Sequence, residues 1–148
     1  MFKMFSNSPL NRNLGLLIVR IGIGLSLLMF HGYGKMAGGP ETWTAVGGAM
    51  KNLGIGFAPA FWGFMAGFAE FVCSILIVLG VLFRPAIVLL AITMLVAILH
   101  HLSLPIDSPS SGWSGASHAL ELFCVCVGLY LTGPGKYAFK LMRKQDEY

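Results

Sequence analysis

Few side chains in this sequence can bind ligands or move protons, and most of those sit inside long apolar runs. They are Arg20, Glu70, Glu121 and the four histidines His31, His100, His101 and His118. A carboxylate at mid-depth in a membrane helix is costly unless a basic or polar group faces it, so Glu70, in the middle of the apolar run Pro59 to Phe83, needs a partner. With a rise of about 1.5 Å per residue, Arg20 falls roughly 20 Å and Glu70 roughly 16 Å below the same membrane surface. That level match predicts an Arg20–Glu70 ion pair, the planar guanidinium holding the carboxylate through two hydrogen bonds. Helical phase agrees: Arg20, Gly24, Leu27 and His31 share one face, and Gly63, Gly67, Glu70 and Ser74 share another.

Three chemistries fit these residues. In the first, a quinone sits in the bundle, with Arg20, His31, Glu70 or Glu121 donating to its carbonyls and Trp62, Phe64 or Phe68 as the aromatic wall. In the second, a small-molecule or metal-ion binding or transport site opens to the outer side, and His31, His100, His118 and Glu121 form an N/O set for zinc or copper, contributed by three helices and lacking a local HExxH signature. Under the third the protein is a scaffold, its buried ion pair a clamp and its histidines interfacial, since amphipathic rings favour membrane boundaries. On the third long run, Thr93, Ala97 and His100 share a stripe, so His100 points inward and His101 toward the lipid interface.

The elements that must position these groups are membrane helices. Of the 148 residues, 56% are hydrophobic and 11% charged, with mean hydropathy +0.76, a composition far too apolar for a soluble domain. Four runs are long enough to span: 14–33, 59–83, 86–104 and 113–132. The fold class is therefore all-α, a single membrane domain over 1–148 built as a four-helix bundle. Met1 to Asn13 precede an uncleaved first span, because the apolar part is longer than a signal-peptide core. Arg84-Pro85 makes a short link that forces spans two and three to be antiparallel neighbours.

Between spans one and two, Pro40 suits a first helical turn, Trp43, Val46, Met50 and Leu53 recur at helical spacing, and Gly54 is a stop. This reads as a short amphipathic helix on the membrane surface, either a lid or a connector with a lipid-facing stripe. Gly133-Pro134-Gly135 ends the fourth span, and a basic tail, 136–148, follows.

The formal charge of +4 is placed at the ends of apolar runs, which points to an anionic bilayer rather than nucleic acid. If both termini are cytoplasmic, that side collects Lys3, Arg12, Arg84, Lys136, Lys140, Arg143 and Lys144, against Lys35 and Lys51 outside. Cys73, Cys124 and Cys126 all fall in spans; Cys124 and Cys126 point to nearly opposite sides of one helix, against a disulfide.

The stretch Val19-Arg20-Ile21-Gly22-Ile23-Gly24, continuing to His31-Gly32-Tyr33-Gly34-Lys35, resembles the first-helix pattern of the DoxX family. So do a second helix with a central glutamate after Gly67, Ala119-Leu120-Glu121 at the start of the fourth, and Gly133-Pro134-Gly135-Lys136 at its end. The resemblance covers about Leu14 to Phe139. It implies a four-helix protein of the bacterial inner membrane, tied to quinone-linked or sulfur and thiol redox chemistry, with other subunits of a membrane redox complex as partners. The chain has no CxxC pair, no CxxCH haem attachment and no GxGxxG loop.

Overall fold

The computed structural model describes residues 10–139. Helix α1 (Arg12–Leu27) runs into a π-helical turn (Leu28–Gly32) and then α2 (Tyr33–Ala37) without a break, and α3 (Gly39–Gly47) follows. A 3-10 turn (Gly48–Leu53) leads to three long helices, α4 (Pro59–Leu79), α5 (Phe83–Ser103) and α6 (Gly112–Thr132). Among the described residues, four stretches are long and apolar enough to cross a membrane: Arg12–Ala37, Pro59–Leu79, Phe83–Ser103 and Gly112–Thr132. At 1.5 Å per residue, 21 residues reach about 30 Å, the thickness of a hydrocarbon core.

Helix α4 is central. It packs against α1 and α2 on one side and α5 on the other, and α5 packs most closely against α6. Leu27, Cys73, Ile77, Ile87, Leu90, Met94, Ala116, Cys126 and Leu129 form the shared core. Outward faces stay apolar, as Ile18, Phe30 and Leu131 show, which is what a lipid solvent permits.

The first span is longer than hydropathy predicts. It continues past Tyr33 to Ala37, because Gly34 lies inside a helical turn and does not end one. The link between spans two and three also differs: α4 stops at Leu79, Gly80 takes φ +76°, and Arg84 and Pro85 lie in the first turn of α5. Proline is tolerated there because the first turn's N–H groups have no intrahelical acceptor. Gly80 is required twice, by its positive φ and because a Cβ would press on Ala138 and the Arg20 guanidinium.

Helix α3 is clamped on the start of α4. A Cβ on Gly63 would collide with the Trp43 carbonyl, and one on Gly47 with the Pro59 carbonyl, so the two backbones touch where both residues lack side chains. The Trp43 indole N–H donates to the Lys35 carbonyl at 2.8 Å, tying α3 back to the end of the first span. Val46 and Met50 consequently face the protein interior rather than lipid, which corrects the reading of that stripe as lipid-facing.

Candidate functional site

The partner of Glu70 is Lys35. Its ammonium donates to both carboxylate oxygens, at 2.6 and 2.5 Å, with the glutamate side chain 4% exposed and the lysine 28%. The approach is made possible by glycines. A Cβ on Gly32 would lie 2.6 Å from the Glu70 carbonyl, and one on Gly67 3.3 Å from the Lys35 Cβ.

The expected Arg20–Glu70 pair does not form. Arg20 is fully buried and spends its donors on main-chain carbonyls. Nε donates to Ile77 O at 2.8 Å, Nη2 to Val78 O at 2.5 Å, and Nη1 to Pro134 O and Tyr137 O at 2.6 and 3.1 Å. Ile77 and Val78 lie in the last turn of α4, whose carbonyls lack intrahelical donors and carry the negative end of the helix dipole. Phe139 N–H adds a bond to Leu79 O at 2.9 Å.

The level match failed because Tyr33 and Pro59 do not stand at the same height: Gly32 lies against Glu70 and Lys35 against Gly67, so α4 begins well beyond the end of the first span. Arg20 therefore lies beside Ile77 and Val78, about 11 Å along α4 from Glu70. Phase failed for a second reason. The π turn adds a residue to one helical repeat, so the face that carries Arg20, Gly24 and Leu27 passes next through Gly32 rather than His31. Lys35 is thereby turned onto Glu70, and His31 is turned toward α6, where its ring stacks on His118 with centroids 5.3 Å apart.

A cavity of about 450 Å³ opens between α3, α4 and α5. Lys35 and Glu70 close its base. Its walls are mostly apolar, among them Val46, Met50, Trp62, Met65 and Ile92, and His100 and His101 stand at the far ends of α5. His100 Nδ1 is 3.4 Å from Asn52 Nδ2, and His101 Nδ1 is 2.8 Å from the Ser110 carbonyl. Both histidines line the cavity, so His101 does not point to the lipid interface as its phase predicts; the bond to the α5–α6 loop draws its ring inward.

The structure thus divides the candidate residues. Glu70 and His100 share the cavity; Arg20, His31, His118 and Glu121 are not among its lining residues. His31 and His118 form their own stacked pair, and Glu121 lies exposed with Ser117, Cys124 and Gly128 on the face of α6 opposite the core. Among the described residues no three His, Cys, Asp or Glu side chains converge in a metal-ligand group, so His31, His100, His118 and Glu121 are not assembled as one. The three cysteines are free, Cys73 and Cys126 buried and Cys124 exposed.

Lys35, the partner of Glu70, is the residue that reading by hydropathy misses, because it places Lys35 outside the span. The glycine pair Gly32 and Gly67, matched on two antiparallel helices, was the available signal for a close approach at that level.

Four apolar spans among the described residues, an internal ion pair and a cavity beside it define a multi-pass membrane helical bundle. The DoxX family model matches residues 15–102, from α1 to the end of α5, and the chain belongs to the DoxX family. No curated protein and no solved structure matches the chain.

Proposed function

We propose that the cavity between α3, α4 and α5 binds the ring of a membrane quinone, and that the protein serves as the quinone-binding subunit of a redox assembly in the bacterial inner membrane. One observation carries this reading: an apolar chamber of about 450 Å³ with a single charged pair at its base. Such a chamber is within the roughly 300–1,000 Å³ range of small-molecule sites, where apolar walls supply affinity and a few polar groups fix orientation. An ammonium carries three N–H donors, and Lys35 gives two to Glu70, which leaves the third for a ring carbonyl. Trp62 and Phe61 provide the aromatic edge, and His100 lines the same chamber as a second hydrogen-bonding group. Seven basic residues on the side of the termini against Lys35 and Lys51 on the other favour cytoplasmic termini, with the histidine end of the cavity facing outward.

The experiment is a binding titration of purified protein with a decyl-chain benzoquinone, read by quenching of tryptophan fluorescence, together with extraction of co-purified quinone. Saturable quenching is expected, weakened roughly tenfold or more in the paired Lys35→Met/Glu70→Leu variant, which removes both charges and strands neither. Absence of quenching and of extracted quinone sinks the proposal.

A further inference from the structure

The cavity's walls include residues that also belong to the outer surface of the spans. Phe61 on α4 and Ile92 on α5 both line the chamber and are both 53% exposed. Ile92 is nine residues into a 21-residue span, roughly 14 Å from its start, so its exposure lies near the middle of the hydrocarbon layer, whereas Phe61, the third residue of α4, marks the upper edge of the gap. Above it, the 3-10 turn contacts both α4 and α5 and bridges them, and the Asn52–His100 contact ties its tip to α5. The chamber is thus roofed toward water and gapped toward lipid.

Resting on the reading of the cavity as a quinone site, we infer that the gap flanked by Phe61 and Ile92 is a lateral portal: the ligand enters from the bilayer and leaves its chain there. Volume supports it. A chamber near the small end of ligand sites has room for a ring head but not for a long apolar chain as well. The chain must therefore pass out between α4 and α5, where Ile92, Met65 and Phe61 offer an apolar sill and the surrounding lipid an apolar solvent. The ligand class follows: a lipid-borne amphiphile with its hydrogen-bonding head at Lys35, rather than a water-borne solute admitted past the histidines.

Two measurements test the portal. In protein reconstituted into lipid vesicles, Ile92→Trp is compared with wild type for a benzoquinone carrying a decyl chain and for the same ring carrying only methyl groups. The expected result is a loss for the chained quinone roughly tenfold greater than the loss for the chainless ring, since the added indole fills the gap through which only the chain must pass. Equal losses for both, or no loss for the chained one, overturn the portal while leaving the site intact.

The second measurement needs no ligand. A nitroxide is attached to Ala97→Cys, on the chamber wall, in a background of Cys73→Ala, Cys124→Ala and Cys126→Ala, and its relaxation by oxygen, which concentrates in lipid, is compared with that by a water-soluble nickel chelate. Oxygen must dominate, and Ile92→Trp must reduce its effect. Dominance of the nickel chelate overturns the portal, whether or not any quinone binds, so failure of the route and failure of the quinone reading are separated.

Discussion

Two cations, Arg20 fully buried and Lys35 partly so, answer the same problem in opposite ways. Lys35 meets a carboxylate, whereas Arg20 meets four carbonyl oxygens, two of them at a helix end. The fork of a guanidinium can span acceptors on two chain segments, and a single ammonium cannot. Arg20→Lys is therefore expected to lose most of those bonds and to destabilise the protein by on the order of 3 kcal/mol, seen as a lower thermal unfolding temperature in detergent. Faster proteolysis at Lys136 should accompany it, since among the described residues Arg20 makes two of the four hydrogen bonds that hold the segment from Pro134 to Phe139, the others being Lys136 N–H to Asn13 Oδ1 and Phe139 N–H to Leu79 O. The Lys35–Glu70 pair should show the behaviour of a buried ion pair. Lys35→Met and Glu70→Leu alone should each cost about 3–5 kcal/mol, and the double variant much less than their sum; additive losses in the same unfolding assay would mean that the pair is not coupled.

At the level of elements, the π turn decides which side chains look inward. Its length can be tested without touching a lining residue. Deleting Met29, which is exposed, should restore a continuous α-helix, turn Lys35 away from Glu70 by about 100° and abolish quinone quenching, whereas Met29→Ala should do neither. Glycines give a second contrast. Gly63→Ala should pry α3 off α4, costing about 1–3 kcal/mol and opening the chamber roof, while Gly22→Ala, with open space around it, should be neutral or slightly stabilising. Those two features also explain what could be read in advance. Span number, the helical connector around Trp43 and the buried face of Gly63, Gly67, Glu70 and Ser74 followed from hydropathy and 3.6-residue periodicity. The pairing of Glu70 did not, because it depends on one residue of extra helical winding and on where two helices end relative to each other, and neither leaves a mark in composition.

On the scale of the whole molecule, the site lies on one side only. Glu121 is outside the chamber, so Glu121→Gln should leave quinone affinity unchanged, a check against the expectation that Glu121 is among the donors to a quinone. Orientation is testable separately. With cytoplasmic termini, a membrane-impermeant maleimide should label Asn52→Cys in the cysteine-free background in intact cells, and Lys136→Cys only after lysis. The reverse pattern would place the histidine end of the chamber in the cytoplasm.

The Arg20 clamp also sets an order of assembly. Ribosomes deliver the first helix to the bilayer more than a hundred residues before Pro134 and Tyr137 exist, so its guanidinium must wait: first for α4 to present Ile77 and Val78, then for the residues after the final span. The bundle closes only when that strap reaches back to α1. A nascent chain halted short of it would carry an under-coordinated cation in the membrane, a ready mark by which quality-control proteases can tell unfinished copies from finished ones.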